Sequence, residues 1–472
     1  MSTVLWPHQQ RAVKRALARQ TFGIWHDTGT GKTRTACEII RGLCIKHNRP
    51  LRVVYLTLPS LVSETLSEFG KFMGKDLLRR LINCGPGMSL KERAAKIKNA
   101  GDFVIVTNFE TLQDDTCFNE LMKFDPQVLI IDELHTIRAH DSKRAKRALL
   151  LASRAYYRYG LTGSIVPDDL LKLYMPLKFV APKALPDRFS EFRDTHFEDV
   201  NRKTRLKFPN WQPCDGSKRA LMRAVQDAGD ICYRHDVIKD LPPLIERVHD
   251  VYLTPKLERL YRQLERTFLA SLEDAGIKLD DVIDDTIVTD TVVVQYVRLR
   301  QLCNGIIVLG EHEARTTRRA QYNKIAALRD ILSSYKQDQI IVWSNFVETY
   351  ADIERVCKSV GVTHTQYHGQ LSPAQKQSSI GAFRAGTQVL VAHPRSAGVG
   401  LNLQNARVSI YYSSNYGLAE REQSEARNYR AGSGVHHQIE RIDLVTRDTI
   451  EETILSRIRE KKNAVNKLKA MA

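Results

Sequence analysis

The stretch GIWHDTGTGKTRTACEII, residues 23–40, decides the fold. It predicts a strand, a glycine-containing turn and a helix that begins near Lys32. Gly29 and Gly31 allow the main chain to approach an anion closely, and the N–H groups at the start of a helix form an anion-binding nest. Lys32 then reaches the β- and γ-phosphate oxygens, and the Thr33 hydroxyl ligates Mg²⁺. The stretch therefore predicts a nucleotide-binding phosphate loop, or P-loop.

The loop departs in one place from the strict pattern GxxxxGK[ST], because position 26 is His rather than Gly. The alternative is a glycine turn before a helix with a chance Lys-Thr pair. Upstream, LWPHQQ (residues 5–10) offers Gln9 as an amide that reads the adenine edge, although a surface glutamine at a helix start is the default. The predicted nucleotide-binding residues are Gln9, Asp27, Thr28, Gly29, Thr30, Gly31, Lys32 and Thr33.

The acidic half of such a site is expected at the end of a strand, and QVLIIDELH (residues 127–135) supplies it. Asp132 is predicted to hold the Mg²⁺, and Glu133 to orient and deprotonate the attacking water. Two adjacent carboxylates at the end of a buried strand are otherwise costly. His135 either couples this site to a nucleic-acid site or caps and packs locally. The predicted cofactors are ATP and Mg²⁺.

Short apolar runs, each followed by a segment of helical period, recur in both halves of the chain. Runs of this length next to helices predict buried strands of a parallel sheet with helices on both faces. The length of 472 residues fits two domains better than one. The expected fold is therefore a doubly wound α/β sheet that occurs twice. The runs are LRVVYLTL, DFVIVTN and QVLIIDE in the first half, and QIIVWSN, QVLVAH and RVSIYY in the second.

The composition narrows the functional class. A formal net charge of +17 favours a polyanionic partner, although a solvated basic surface would give the same sum. The eight cysteines include no CxxC pair, which argues against a zinc site or a disulfide framework and for a reducing compartment. No stretch approaches the roughly 18 apolar residues of a membrane span, and the N-terminus lacks a signal-peptide pattern. We expect no membrane association and a cytoplasmic location in a bacterium or phage-infected host, or a nuclear one in a eukaryote.

Beyond these motifs, the chain resembles the Swi/Snf-like branch of the superfamily-two helicases. The similarity extends in order from residue 5 to about residue 454. In the second half, SAGVGLNLQ (residues 396–404) resembles the motif that bridges nucleotide and nucleic acid in relatives. The similar segments ahead of the second domain are LPSLVSETLSEF, VIVTNFETL, YGLTGSIVPDDLLKLYMPLKFVAP, YRHDVIKDLPPLIERV and VRLRQLCN.

The resemblance implies two tandem RecA-like domains with helical insertions. The first covers residues 1–240, with a helical insertion at about 183–232. Residues 241–320 form a linker and a helical insertion, and residues 321–472 form the second domain with a C-terminal helix. This architecture implies a nucleic-acid-dependent ATPase.

The segment QSEARNYRAGS (residues 423–433) resembles the family motif QAxDRxHRxGQ. The resemblance makes Gln423, Arg427 and Arg430 catalytic, with the two arginines reaching the γ-phosphate across the interdomain cleft. Arginines three positions apart on a helix would project from one face, although a solvated basic face gives the same spacing. Three departures from the family pattern lie in these motifs: Leu134 for alanine, Ala426 for aspartate and Ser433 for glutamine.

The resemblance also places residues that contact the nucleic-acid backbone and residues that couple the two sites. Hydroxyls, amides and main-chain N–H groups suit phosphates and carry no sequence information, although each of these side chains could instead cap a strand end. The coupling residues are His135, Thr162 and Ser164. The predicted backbone contacts are Thr57, Ser60, Thr107, Asn108, Ser344, Asn345 and Gly400.

The predicted activity is an ATP-driven translocase on duplex DNA that remodels DNA structures or protein–DNA complexes. A strand-separating or fork-regressing DNA helicase is the alternative, and an RNA helicase is a weaker one. We expect a monomer on duplex or branched DNA. No further module is recognisable in these residues, which favours a minimal bacterial or phage motor in repair, recombination or replication.

Overall fold

The computed structural model describes residues 4–101, 103–165, 169–202, 209–238, 241–275, 290–309, 316–320, 322–398 and 401–471. The chain divides into two compact units. The first comprises Met1–Asp199, Asn210–Lys239 and Ala464–Ala472, and the second comprises Val200–Pro209 and Asp240–Asn463.

The first unit is built on a sheet of seven strands in the order β3-β4-β2-β5-β6-β1-β9, and every neighbouring pair is parallel. Strands β7 and β8 form a separate antiparallel pair. The strands are β1 (Thr21–His26), β2 (Val53–Thr57), β3 (Leu81–Cys84), β4 (Val104–Asn108), β5 (Val128–Asp132), β6 (Tyr157–Leu161), β7 (Phe197–Asp199), β8 (Trp211–Pro213) and β9 (Gly229–Cys232).

Helices accompany this sheet. They are α1 (Pro7–Leu17), α2 (Lys32–Lys46), α3 (Val62–Phe72), α4 (Lys75–Leu78), α5 (Leu90–Lys98), α6 (Glu110–Gln113), α7 (Asp115–Phe124), α8 (Lys143–Ala152), α9 (Tyr174–Val180), α10 (Phe189–His196), α11 (Ser217–Ala228) and α12 (Arg234–Val237). Strands β2, β4 and β5 are buried along their whole length, as expected for parallel strands with both faces covered. Each fully buried Val or Ile contributes about 1.5–3 kcal/mol to folding.

The parallel arrangement brings the carboxyl ends of the strands to one edge of the sheet. Strand β6 lies between β5 and β1, and its Leu161 pairs with Asp132 on one side and with Ile24 on the other. The segments that follow β1, β5 and β6 therefore start next to one another. Ligands of open α/β sheets bind at this edge.

The second unit contains six parallel strands in the order β10-β17-β16-β13-β15-β14. Its core includes Ile341, Trp343, Leu390 and Tyr411. The strands are β10 (Leu244–Val251), β13 (Ile340–Trp343), β14 (His364–Tyr367), β15 (Val389–Ala392), β16 (Val408–Tyr411) and β17 (Ile439–Thr446), with an antiparallel pair β11 (Ile306–Leu309) and β12 (Thr316–Arg319). The helices are α13 (Pro255–Ala275), α14 (Asp290–Cys303), α15 (Lys324–Ser334), α16 (Tyr350–Val360), α17 (Pro373–Arg384), α18 (Pro394–Ala397), α19 (Leu418–Glu425) and α20 (Ile450–Met471).

The predicted fold class is confirmed, because both units carry parallel α/β sheets and all six predicted strands are present. The structure also shows two features that the sequence analysis did not assign. The stretch at about 183–232 ends in β9, an edge strand of the first sheet, as well as holding α10 and α11. The stretch 241–320 starts with β10, which pairs along eight residues with β17. The exact domain boundaries stay a prediction.

All eight cysteines are free thiols, and six of them are buried. No helix among the described residues is long and apolar enough to cross a membrane.

Candidate functional site

The loop between β1 and α2 has the backbone that phosphate binding requires. Gly29 and Gly31 have φ values of 90° and 84°, a region that side chains disfavour. Gly31 is the residue that caps α2, so the unpaired N–H groups of the first helical turn follow it directly. Lys32 is the first residue of that turn and is buried, and its Nζ donates to the carbonyl oxygens of His26 at 3.1 Å and Asp27 at 3.5 Å. The loop therefore presents a nest of N–H groups with a cation held beside it.

Helix α1 holds this loop from the other side. The Thr30 carbonyl accepts hydrogen bonds from His8 Nε2 at 2.9 Å and from Gln9 Nε2 at 3.1 Å. Gln9 Oε1 accepts from the Trp6 main chain at 3.0 Å. An amide offers two N–H groups and two lone pairs, so one of each remains after these bonds. Reading of adenine by Gln9 stays a prediction.

The predicted acidic pair lies at the end of β5. Asp132 is buried, and its carboxylate accepts hydrogen bonds from Thr57 Oγ1 at 3.3 Å and from the Glu133 main chain at 3.0 Å. Burial, together with the negative charge of Glu133 and opposed by Lys32, raises the pKa of Asp132 to about 6. Glu133 has φ of 53°, a strained value for a residue with a side chain. A cation near Asp132 would favour its ionised form, as a magnesium ligand requires. Thr33, the other predicted ligand, lies half-buried in the first turn of α2.

The three predicted coupling residues form one hydrogen-bonded path that starts at Glu133. His135 Nδ1 lies 3.2 Å from Glu133 Oε2 and 3.2 Å from Thr162 Oγ1. Thr162 Oγ1 in turn accepts a hydrogen bond from the Ser164 main chain at 3.1 Å. A movement of the segment after β6 would thus reach the Glu133 carboxylate through two side chains. The coupling role itself stays a prediction.

The segment after β6 also approaches the phosphate loop. A Cβ atom placed on Gly163 would lie 3.1 Å from the Thr28 main-chain nitrogen and 3.3 Å from the His26 carbonyl oxygen. The loop between β1 and α2 therefore packs against the segment that contains Thr162 and Ser164.

Sequence analysis missed the support that β9 gives to the phosphate loop. Asp230 is buried and binds Arg11 at 2.9 Å, Arg15 at 2.7 Å and His26 at 3.0 Å. The Asp27 main-chain N–H donates to the Cys232 carbonyl, and the Arg234 main-chain N–H donates to the Asp27 carboxylate, each at 3.0 Å. The one signal of this support in the sequence was His26, which stands where the phosphate-loop pattern has glycine. No local pattern connects it to a strand two hundred residues away.

The predicted nucleic-acid contacts fall into three groups. Ser60 is exposed and Asn345 is half-buried, while Gly400 lies outside the described residues. The others are buried and bonded within the protein, which favours the alternative that they stabilise strand ends; as contacts they stay a prediction. Asn108, for example, accepts a hydrogen bond from the buried Arg93 at 3.0 Å. The buried residues are Thr57, Thr107, Asn108 and Ser344.

The predicted presentation of the two catalytic arginines by one helix is wrong. Helix α19 contains Gln423 but ends at Glu425, before both arginines. Beyond that end, the Arg427 main-chain N–H donates to the Ser424 carbonyl at 3.1 Å, and the Arg427 carbonyl accepts a hydrogen bond from the Leu403 main chain at 3.1 Å. Arg427 is buried, and its Nε donates to the Gln423 carbonyl at 2.8 Å. Arg430 follows in the same turn, and the catalytic role of these residues stays a prediction.

Two models of known protein families match this chain. The SNF2-related domain matches residues 8–306, more than half of the chain, and the helicase conserved C-terminal domain matches residues 323–432. The chain belongs to the SNF2-related family. It is a helicase-like ATPase of the SNF2 family, and the two matched SNF2 and helicase segments coincide with the two sets of motifs in the sequence.

The SNF2 relatives are longer proteins. The chain is 26% identical over 478 residues to an uncharacterized ATP-dependent helicase of Mycoplasma pneumoniae, and 23% identical over 452 residues to the transcription regulatory protein SNF2 of Saccharomyces cerevisiae. The alignments cover 98% and 91% of this chain but 42% and 25% of those proteins. Among solved structures, the Sulfolobus solfataricus SWI2/SNF2 ATPase core in complex with dsDNA is 20% identical, with a TM-score of 0.44, and the match covers 98% of this chain and 92% of that one.

Proposed function

We propose that this SNF2-family ATPase is a motor that hydrolyses ATP on duplex DNA and remodels DNA structures or protein–DNA complexes. The observation that supports it most directly is the meeting of the phosphate loop, the Asp132–Glu133 pair and the Thr162–Ser164 segment at one edge of the sheet. Such a site links the chemistry of hydrolysis to a neighbouring segment of chain. A motor requires that link, whereas a binding scaffold does not.

The donor set fits ATP and Mg²⁺. The N–H groups around Gly29 and Gly31 suit phosphate oxygens, and the Thr33 hydroxyl and Asp132 carboxylate are the oxygen ligands that magnesium prefers. Bound Mg²⁺ would neutralise charge that develops on the phosphates. Lys32 would bind the β- and γ-oxygens in place of the loop carbonyls that it now contacts.

In this mechanism Glu133 orients the attacking water and takes its proton on a carboxylate oxygen. His135 holds that carboxylate from one side at 3.2 Å. Arg427 and Arg430 remain the residues that we propose to supply positive charge to the γ-phosphate. A positioned arginine of this kind typically contributes about 10³–10⁵ in rate.

The DNA assignment rests on the family and on charge. A net charge of +17 and a pI of about 9.5 favour a polyanionic partner. The alternative of a strand-separating helicase is favoured by the likeness to the Mycoplasma protein, whose name includes ATP-dependent helicase. The two activities differ in whether the strands come apart.

The test is steady-state ATP hydrolysis by the wild type and by Glu133→Gln, without nucleic acid and with blunt duplex DNA, single-stranded DNA, forked DNA or duplex RNA. Glu120→Gln is the matched control, because the half-buried Glu120 pairs with the exposed Lys123 on α7. We expect strong stimulation by blunt duplex in the wild type and the control, and loss of hydrolysis in Glu133→Gln.

Stimulation by single strands or forks alone, with strand displacement, would favour the helicase alternative. Stimulation by duplex RNA alone would favour an RNA substrate. Absence of hydrolysis with every nucleic acid would contradict the motor.

A further inference from the structure

A cluster of three potential metal ligands lies beside the phosphate loop, and ATP hydrolysis does not use it. His8 belongs to α1, His26 is the last residue of β1, and Cys232 is the last residue of β9. One ligand atom of each lies within 4.8 Å of the other two. The three residues are only 3%, 0% and 3% exposed. Two imidazoles and a thiol are thus enclosed together inside the first unit.

The surroundings of His26 fix which of its ring nitrogens carries the proton. Asp230 Oδ2 lies 3.0 Å from His26 Nε2. Asp230 also pairs with Arg11 at 2.9 Å and with Arg15 at 2.7 Å, and these two cations favour its ionised form. The carboxylate is therefore an acceptor, so Nε2 holds the hydrogen and Nδ1 carries a lone pair. This Nδ1 is buried and has no hydrogen-bond partner among the residues that the structure describes.

His8 is fixed in the same way by the phosphate loop. Its Nε2 lies 2.9 Å from the Thr30 carbonyl oxygen, which can only accept a hydrogen bond. Nε2 therefore holds the hydrogen and Nδ1 carries the lone pair. Both rings are buried, which disfavours the charged form of imidazole. Neutral imidazole is the form that binds metals.

Cys232 supplies the softer ligand. Its Sγ lies 3.8 Å from the Tyr233 carbonyl, a weak contact. The thiol is buried, and burial disfavours its charged form when no cation is near. A coordinating metal deprotonates such a thiol outright.

We propose that His8, His26 and Cys232 bind a zinc-class divalent cation through two imidazole nitrogens and one thiolate. Nitrogen and sulfur ligands favour zinc over magnesium, so this site is separate from the magnesium site of ATP hydrolysis. The bond from His26 to Asp230 matches the carboxylate–histidine–metal arrangement that orients metal-bound histidines. Donor atoms around zinc lie about 3.5 Å apart, so the three atoms would approach one another by about 1 Å, and a water would take the fourth tetrahedral position.

Such an ion would connect three segments that are far apart in the sequence. His8 also holds Thr30 of the phosphate loop, while His26 and Cys232 end the neighbouring strands β1 and β9. A shared metal fixes these positions relative to one another. It acts as a structural clamp on the base of the phosphate loop.

The experiment measures zinc binding by the full chain without nucleotide, so its outcome is independent of ATP hydrolysis. Protein stripped with a chelator is incubated with Zn²⁺ and desalted, and bound zinc is measured by mass spectrometry and by competition with a chromogenic chelator. The variants are Cys232→Ser and, as the matched control, Cys84→Ser, another buried thiol of the first unit. We expect one zinc per chain in the wild type and the control, and an affinity at least about 10-fold lower in Cys232→Ser.

Zinc should also raise the thermal midpoint of the wild type and of Cys84→Ser by about 5 °C or more, and that of Cys232→Ser by much less. Less than about 0.1 zinc per chain in the wild type, or equal affinity in Cys232→Ser, would overturn the proposal, because a three-ligand site depends on each ligand. If Cys232→Ser does not fold, cobalt bound to the wild type decides the question. A thiolate-to-cobalt absorption band supports the site, and bound cobalt without that band refutes it.

Discussion

Gly31→Ala tests how tightly α1 is fitted against the phosphate loop. Gly31 has φ of 84°, and a Cβ atom at this position would lie 2.3 Å from Gln9 Nε2. The Gln9 amide must then move away from its two partners, the Thr30 carbonyl and the Trp6 main chain. Gly216 provides the matched control, because its φ is 80° and a Cβ atom there would meet nothing within 4 Å.

The two substitutions share one cost and differ in another. Alanine in the left-handed region costs about 1–2 kcal/mol. In Gly31→Ala the loss of the two hydrogen bonds of the Gln9 amide, at about 0.5–1.5 kcal/mol each, comes on top of that strain. We expect Gly216→Ala to lower the free energy of unfolding by about 1–2 kcal/mol and Gly31→Ala by about 2–5 kcal/mol.

Urea unfolding followed by tryptophan fluorescence measures this difference. Three of the four tryptophans, Trp6, Trp25 and Trp211, belong to the first unit. A double variant with Gln9→Ala completes a thermodynamic cycle. Since Gln9→Ala already removes both hydrogen bonds, the double variant should be less destabilised than the sum of the single variants, by about 1–3 kcal/mol. Equal losses in Gly31→Ala and Gly216→Ala, or additive losses in the cycle, would refute the reasoning.

Three further outcomes are expected. Arg93→Lys should lower the free energy of unfolding by about 2–4 kcal/mol in urea unfolding, since lysine cannot replace the buried guanidinium contacts to Asn108, Thr111 and the Gly85 carbonyl. A loss under about 0.5 kcal/mol would contradict this. Burial raises the pKa of Glu425, but Arg441 and Arg421 outweigh it and lower the pKa to about 2 from 4.5. The stability that ionised Glu425 contributes is present above pH 4.5 and is lost as the pH falls towards 2. The thermal midpoint of Glu425→Gln should therefore fall less steeply over that range than the midpoint of the wild type, because the variant lacks about 3 kcal/mol of pH-dependent unfolding free energy. Stimulation of ATP hydrolysis by DNA should fall steeply between about 50 and 200 mM salt, and a flat titration would count against phosphate-dominated binding.

The sequence predicted those parts of the site that are local in the chain. A phosphate loop needs its glycines, its lysine and its helix start within a few residues, so residues 27–33 revealed it directly. The Asp132–Glu133 pair was visible because an apolar strand led straight into two carboxylates. The parallel sheets followed from strand length and from the helical period between strands.

Other features depended on where the chain turns and what it buries. The sequence spacing suggested two arginines on one helix, but α19 ends at Glu425, and the Arg427 carbonyl that follows bonds the Leu403 main chain. The sequence left open whether Thr107 and Asn108 contact nucleic acid or stabilise strand ends, and only the structure shows that both are buried, with Asn108 bonded to Arg93. Helix ends and burial are set by such long-range contacts, which no local pattern records.

The sequence by itself thus determined the fold class and the family, and it predicted the chemistry of the nucleotide site, because these are encoded in contiguous motifs. Only the tertiary structure decided what supports that site. The spacing of the cysteines argued against zinc, since the sequence contains no CxxC pair. Strands β1 and β9 are neighbours in the sheet, so folding brings His26 and Cys232 together with His8 across more than two hundred residues. Ligand spacing in the sequence detects a metal site only when its ligands share a local segment, whereas these three meet through the pairing of β1 with β9 and the packing of α1 against both strands.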